Sequence, residues 1–255
     1  MLRQREYENF FMILRRKEKQ ARSVQLIKMA LVEQSLNLNT RYQWRHLTVL
    51  DHNQVRDFIW KYYSELNPLR RMLGLHKSEK VMVIDDDRVA AKLREGVCTG
   101  VIEKRSGKLA AVALDSISSG SEEAFRLKCV SKSSQYPPNF YKMLGMFDIV
   151  RRCSPRFLKN EKLYQLSMFA IHPDYNGLGL ATKLTLKGEE NATVTGCKYV
   201  VVISTSAYME KVFNKLEYTK FAEINYADYL NRCGGDMERI VPPHLKMTSF
   251  YKQVA

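Results

Sequence analysis

The alternation of hydrophobic and polar positions predicts a domain in which strands and helices follow one another. Strand-type patterns cover Tyr42–Leu50, Val97–Glu103, Lys108–Ile117, Gln165–Ile171 and Lys198–Ile203. Helical patterns run from Asp51 to about Glu65, over Leu69–Leu73, roughly Asp86–Arg94, Phe140–Arg152, from Ala181 to about Glu190, and over Tyr208–Leu216. This order predicts a mixed α/β fold in which helices cover a sheet. The turn at Arg105-Ser106-Gly107 joins two of the strands into a hairpin beside the strand that ends at Ile171.

The first forty residues form a different pattern. Apolar side chains such as Phe10, Leu14, Ile27 and Leu31 recur at steps of three and four, and the polar positions between them are largely basic. We therefore expect residues 1–40 to be a basic amphipathic helical extension and residues 41–255 to be the folded domain. The extension either docks on a membrane surface or partner, or it packs on its own domain or stays partly disordered, which is the favoured interpretation.

One segment carries a chemical signal, namely Leu163–Leu184, in which an apolar strand leads through two glycines into a helix. Gly177 and Gly179 let backbone N–H groups converge on an anion, and the helix adds the positive end of its dipole. The dinucleotide fingerprint fails because Thr182 stands where its third glycine belongs, and no Gly-Lys-Ser/Thr of a Walker loop is present. The segment predicts another kind of phosphate site, with an ordinary strand-to-helix turn as the alternative.

Charge and composition narrow the class of protein. The formal net charge is +14, so the surface attracts phosphates, anionic membranes or acidic proteins. The basic residues are not interleaved with aromatics as in single-strand binders, which leaves no strong case for nucleic acid. No apolar run reaches the roughly 18 residues of a membrane span, and Arg15-Arg16-Lys17-Glu18-Lys19 interrupts any signal peptide. We therefore expect a cytoplasmic protein without a transmembrane segment.

The five cysteines are widely spaced and form no C-x-x-C pair. Such spacing supports neither a disulfide framework nor a zinc site, so we expect reduced thiols and no metal.

The segment Asn176-Gly177-Leu178-Gly179-Leu180-Ala181 resembles the Q/R-x-x-G-x-G/A acetyl-CoA motif of the GNAT superfamily, with Asn176 at the Gln or Arg position. Flanking segments are similar to the arylalkylamine N-acetyltransferase branch of invertebrates over about residues 42–254. They include Tyr62-Tyr63, Asn67-Pro68-Leu69, Thr205-Ser206-Ala207-Tyr208, Tyr226-Ala227-Asp228-Tyr229 and Pro242-Pro243-His244. Two positions depart from the pattern: Asn67 replaces the glutamate proposed as general base, and Glu217 replaces a glycine.

The resemblance implies a GNAT fold, with a mixed but mostly antiparallel sheet of about seven strands flanked by helices. It also implies direct transfer of acetyl from acetyl-CoA, the co-substrate, to a small primary amine, with arylalkylamines as the favoured class. Backbone N–H groups of Phe169 and Ile171 would hold the acetyl carbonyl and pantetheine arm, and those of Gly177 to Ala181 the pyrophosphate. The implied coenzyme-binding residues are Phe169, Ile171, Asn176, Gly177, Leu178, Gly179, Leu180, Ala181, Thr205 and Ser206.

Three residues are candidates for catalysis. Glu65 is the first candidate for the base, acting through water, although it also fits a solvated helix end. Ser167 is another; it and Gln165 should share a strand face, where they either line a water chain from the amine or, as the slightly favoured alternative, are ordinary polar residues on a solvated face. Tyr208 is the preferred general acid, and Tyr141, Met143 and Phe147 are candidates for the amine pocket. A polyamine or amino acid acceptor, or a non-catalytic CoA-binding adaptor, remains an alternative, and the oligomeric state is open.

Overall fold

The computed structural model describes residues 41–119, 136–234 and 237–255. The expected extension, residues 1–40, and most of the connection between Ser118 and Tyr136 lie outside the described residues. Backbone contacts divide the chain into a large unit, Trp44–Ile102 with Lys108–Ala255, and a small one whose described residues are 41–43 and 103–107. All of the site features below belong to the large unit.

The strands are β1 (Tyr42–His46), β2 (Thr99–Glu103), β3 (Leu109–Ser119), β4 (Lys162–Ile171), β5 (Tyr199–Ser204), β6 (Thr219–Asn225) and β7 (Lys246–Gln253). The α-helices are α1 (His52–Ile59), α2 (Pro68–Met72), α3 (Glu79–Arg94), α4 (Pro138–Arg152), α5 (Leu180–Val194), α6 (Ala207–Lys215) and α7 (Tyr226–Cys233). A π-helical turn, Trp60–Ser64, continues α1.

The strands form one sheet in the order β1-β2-β3-β4-β5-β7-β6. Strand β3 is antiparallel to both β2 and β4, β7 is antiparallel to both β5 and β6, and β4 with β5 is a parallel pair. The predicted hairpin beside the glycine-turn strand is confirmed, as is the mixed α/β class with a mostly antiparallel sheet of seven strands.

Buried apolar clusters hold the helices to the sheet, since burying these side chains removes their surface from water. One cluster joins α1 and α3 to β3 and β4, through residues such as Phe58, Val89 and Met168. Another joins α2, α3, α4 and α7, with Met247 of β7 among its members. A further cluster places Phe213 of α6 against Leu166 and other residues of β4, β5 and β7.

Several boundaries differ from the sequence prediction. Strand β1 ends at His46, because Thr48 and Asp51 form a capping box that starts a 3₁₀ turn before α1. Helix α3 begins at Glu79 and not near Asp86, since Val81 and Ile84 are already buried on its inner face. Between them Met82 and Val83 are apolar but exposed, so the sequence shows a continuous apolar run and not the helical period.

Candidate active site

The parallel strands β4 and β5 separate in the middle of the sheet. Their paired residues run from Leu163 with Tyr199 to Leu166 with Val202, and residues 167–171 of β4 lie beyond the last pair. Ser167 is an extra residue on the other edge as well, because β3 pairs Leu114 with Met168 and Asp115 with Leu166. Ser167 is therefore a β-bulge at the point where the sheet opens.

The opened edge of β4 presents backbone donors. His172 donates its N–H to the carbonyl of Ala110, at 2.9 Å, so this N–H points toward β3. Successive N–H groups in a strand point to opposite edges. Those of Ile171 and Phe169 are thus directed to the edge from which β5 has separated.

The glycine turn connects β4 to α5. Gly177 and Gly179 have φ of +76° and +73°, in the left-handed region that favours glycine. A Cβ built on Gly177 would meet no described atom within 4 Å. The first helical bond runs from Lys183 N–H to Gly179 O, at 3.1 Å, so the N–H groups of Leu180 and Ala181 have no intrahelical acceptor. Asn176 and Leu178 are exposed, whereas Leu180 is buried. Open space and unpaired donors together fit an anion such as a pyrophosphate.

Two cavities meet at the opening. The first, of about 180 Å³, is lined by Phe169, by the end of β5 and by Thr205, Ser206 and Met209. The second, of about 310 Å³, is lined by residues of α3 and α4 and by Phe221 of β6. Both are lined by Tyr63, Asn67, Leu166, Ser167, Val202, Ile203 and Thr205. The break in the sheet is therefore the place at which ligands in the two cavities would touch.

Asn67 joins two elements at this junction. Its Oδ1 accepts from Arg70 N–H, at 3.1 Å, which caps α2, and its Nδ2 donates to Thr205 Oγ1, also at 3.1 Å. The Asn67 amide thus caps the first turn of α2 and links this helix to Thr205, the residue that follows β5. An amide can make both hydrogen bonds, since it has a donor nitrogen and an acceptor oxygen, so Asn67 has a structural role.

Lys92 reaches Ser167 from helix α3. Its Nζ donates to Ser167 Oγ at 2.8 Å and to Ser116 Oγ at 3.0 Å. Burial lowers the pKa of Lys92 to about 8, and the charge of Arg88 contributes to the decrease. Beneath them Asp115 is fully buried next to the Tyr164 hydroxyl, and burial raises the pKa of Asp115 to about 7. No sequence pattern indicated Lys92, because contacts among α3, β3 and β4 create this group.

The predicted site residues fall into two sets. Ser167 lines both cavities, Phe169, Thr205 and Ser206 line the first one, and Gln165 lines the second. Met143 and Phe147 also line the second cavity.

Glu65 and Tyr208 are not lining residues of this junction. Glu65 is exposed after the π turn, and neither it nor Tyr208 is among the residues that line the cavities. Tyr208 is 61% exposed, and its ring packs edge-on against His244 with centroids 5.0 Å apart. Of the three residues predicted to be catalytic, Ser167 lines both cavities, whereas Glu65 and Tyr208 line neither.

Within the described residues, no group of three or more His, Cys, Asp or Glu side chains is arranged to hold a metal ion. None of the helices in that part of the chain combines the length and apolarity needed to cross a bilayer. Cys98, Cys153, Cys197 and Cys233 are free thiols.

Comparison with known proteins shows the fold. No protein-family model matches the sequence, and no curated protein matches it either. Arylalkylamine N-acetyltransferase 2 from Aedes aegypti is similar in structure, with a TM-score of 0.73, 22% identity, and coverage of 84% of this chain and 99% of that one. The polyamine N-acetyltransferase of Drosophila melanogaster, described as forming N-acetylagmatine, has a TM-score of 0.70, 17% identity, and coverage of 83% and 99%.

An agmatine N-acetyltransferase mutant in its apo form is also similar, with a TM-score of 0.72, 18% identity, and coverage of 84% and 99%. At such identities the likeness concerns the three-dimensional arrangement. The chain has the GNAT fold, and within that fold it resembles the arylalkylamine, polyamine and agmatine N-acetyltransferases.

Proposed function

We propose that this protein is an acetyl-CoA-dependent N-acetyltransferase that acts on a small primary amine by direct attack in a ternary complex. The observation that carries the proposal is the separation of β4 and β5 at Ser167, next to a glycine turn and between two cavities. A thioester reaching the opening from one cavity meets an amine that enters from the other. Holding both reactants in this way supplies the proximity that acyl transfer requires.

The first cavity suits the donor. N–H groups of Phe169 and Ile171 would bind the acetyl carbonyl and pantetheine amides, as an added strand does at an open sheet edge. Those of Gly177 to Ala181 would bind the pyrophosphate, where the helix dipole favours negative charge. Thr205 and Ser206 line the same cavity and offer hydroxyls to the coenzyme.

The second cavity suits the acceptor. Met143, Phe147 and Phe221 provide apolar surface for an aryl or alkyl body, and Ser167 lies at its inner end. The similar solved structures support this class, since their names describe enzymes for arylalkylamines, polyamines and agmatine. Among these three classes we favour arylalkylamines as the acceptors.

The proton of the attacking amine needs an acceptor, and Asn67 cannot take it because an amide is not a base. Ser167 Oγ can receive this proton while its own passes to Lys92 Nζ, 2.8 Å away. With a pKa of about 8, a fraction of Lys92 is neutral at neutral pH. The N–C bond then forms, the C–S bond breaks, and the departing thiolate takes a proton from water. Lys92 thus serves in place of the carboxylate that the resemblance assigns to position 67.

The test combines binding with turnover. Calorimetry should detect CoA and acetyl-CoA below millimolar concentration, and thiol release should exceed background with at least one of tryptamine, dopamine, octopamine, putrescine and agmatine, with the acetylated product identified by mass. Binding without thiol release from any amine, including acidic ones, would favour the CoA-binding adaptor, an alternative that Asn67 motivates. Absence of binding by folded protein would overturn the coenzyme site itself.

A further inference from the structure

Asp115 is a buried carboxyl group behind the bulge at Ser167. Its exposed fraction is 1%, and the register of β3 against β4 shifts just before it, opposite the bulge. Successive residues of a strand point to opposite faces, and Ser116 contacts Lys92 on the α3 face, so Asp115 faces α5. On that side a Cβ built on Gly188 of α5 would lie 3.7 Å from Asp115 Oδ2. Ser167 therefore lies between Lys92 on one face of the sheet and Asp115 on the other.

The contacts of Asp115 suit both its ionised and its protonated form. The Tyr164 hydroxyl lies 3.1 Å from Asp115 Oδ2 and 3.0 Å from the carbonyl oxygen of Val97. This hydroxyl has one proton, so it donates to the ionised carboxylate, or it accepts from the protonated carboxyl and donates to Val97. The N–H of Ser167 also acts on the carboxyl and favours its ionised form. Asp115 can thus change its charge without leaving the Tyr164 hydroxyl unbonded.

The charges that act on Lys92 come from both signs. Burial lowers the pKa of Lys92 to about 8, and Arg88 contributes to the decrease, whereas Glu95, Asp115 and the Cys98 thiol raise it. Of the two carboxylates, Glu95 is exposed and Asp115 is buried. Solvent and salt screen a buried charge less than an exposed one. Asp115 is therefore the carboxylate whose charge Lys92 experiences through the protein interior.

We infer that Asp115 is a positioning residue for the acyl transfer, which holds the Ser167 bulge from the α5 face and supplies the negative charge that stabilises protonated Lys92. This inference rests on the proposed function, because it takes Ser167 and Lys92 as the proton route. When the proton of the amine reaches Lys92 through Ser167, an ammonium forms in a buried site, where an isolated charge is unfavourable. The carboxylate offsets this cost, as the Asp of a Ser-His-Asp triad stabilises the base that has accepted a proton.

The inference predicts two ionisations in the pH profile. The active form has a neutral Lys92 and an ionised Asp115, so the fully protonated site must lose two protons before it reacts. The pKa of Asp115 is about 7 and that of Lys92 about 8. The logarithm of kcat/KM per neutral amine should therefore rise with a slope that approaches about two below pH 7, and it should level off above pH 8. A slope of about one throughout would overturn the inference.

Asp115→Asn removes the charge and keeps the shape. Its amide oxygen still accepts from the Tyr164 hydroxyl, but the group does not titrate. The slope below pH 7 should fall to about one, and the limb should move to lower pH because Lys92 loses a negative neighbour. The plateau should fall about tenfold, because a less basic Lys92 accepts a proton less readily. A profile equal to that of the wild type would overturn the inference while leaving the acetyltransferase proposal intact.

Two further variants separate charge from structure. Tyr164→Phe removes a donor that favours the ionised carboxyl, so the steep part of the profile should extend to higher pH. Glu95→Gln removes the exposed carboxylate that acts on Lys92, and its amide oxygen can still accept from Ile117 N–H, a bond of 2.7 Å in the wild type. This control should move the limb to lower pH but keep the steep part.

Calorimetry with CoA and the melting temperature of each variant complete the test. Asp115→Asn should bind CoA as the wild type does, because the change lies behind the sheet opening and not at the glycine turn. Loss of activity in all three variants without any change in the shape of the profile would show a structural role only and overturn the inference. If the wild type binds CoA but acetylates no amine, the proposed function fails, and the inference fails with it.

Discussion

At the scale of single residues, Asn67 shows how one side chain can depart from a family pattern and still suit the fold. The resemblance places a carboxylate base at this position, but the amide caps α2 and bridges to Thr205. The proton route then needs another group, and Lys92 reaches the junction from α3. In the proposed mechanism, the buried Lys92 therefore takes the role of base that the amide of Asn67 cannot fill.

Replacement of Asn67 separates its structural role from catalysis. Asn67→Ala removes the cap of α2 and should lower the free energy of unfolding by about 1 kcal/mol. Asn67→Asp should remain near wild type, because its carboxylate still accepts from Arg70 N–H and can accept from the Thr205 hydroxyl. Urea unfolding of the two variants measures the difference. Equal stability of both variants would contradict the capping role.

Lys92 should give the pH profile of the reaction. Only its neutral form accepts a proton, so kcat/KM calculated per neutral amine should rise with pH and level off above an apparent pKa near 8. Lys92→Met should lower kcat by about a hundredfold or more and remove this limb. Lys92→Arg keeps the charge but stays protonated, so it should lose activity as well. Expressing kcat/KM per neutral amine removes the titration of the amine from the profile. Persistence of the limb near pH 8 in Lys92→Met would then exclude Lys92 as the base.

At the scale of elements, the glycine turn has a natural control within the same helix. Gly177, before α5, and Gly196, after it, have φ of +76° and +71°, and a Cβ at either would meet no described atom within 4 Å. Alanine at either position should therefore cost about 1 kcal/mol through backbone strain. Only Gly177→Ala should also weaken CoA binding, because its Cβ enters the space beside the amides that we propose bind the pyrophosphate. Calorimetry and urea unfolding of both variants test this, and equal CoA affinity would exclude the turn as the site.

Elements were predictable where the signal is local. The order of β2 to β5 and the glycine turn follow from alternation, from glycine and from breakers within a few residues. The start of α3 was not predictable, because the exposed apolar residues Met82 and Val83 lie between the buried Val81 and Ile84 and mask the helical period. The last strands and α7 were not delimited either. The bulge at Ser167 and the meeting of Lys92 with Ser167 depend on contacts between α3, β3 and β4 that no short pattern encodes. Exposure of Glu65 and Tyr208 is likewise a tertiary property.

At the scale of the whole molecule, the same sheet that opens at Ser167 also buries charge next to the opening. Asp115 of β3 and Lys92 of α3 lie behind Ser167, and burial shifts the pKa of each toward its neutral form. Ionised groups in such surroundings lower stability. Keeping these two groups buried at the site therefore lowers the stability of the fold, a trade-off that is common at preorganised sites.

Stability should record this through pH. The folded pKa of Asp115, about 7, lies above its unfolded value, so the protonated carboxyl stabilises the fold. This contribution to the free energy of unfolding is fully present below about pH 4 and is lost as pH rises through 7. Lys92 acts in another window: its pKa is lowered, so its contribution is present above about pH 10.5 and is lost as pH falls through 8. Between pH 4 and 7, Asp115→Asn should therefore gain stability relative to wild type. Asp148→Asn, which removes an exposed carboxylate of α4, is the control for loss of one charge. Urea unfolding at pH 4.5, 6 and 7.5 measures the difference in free energy of unfolding between Asp115→Asn and wild type. A difference that stays constant over these pH values would mean that Asp115 is ionised throughout and that both it and the buried Lys92 are charged.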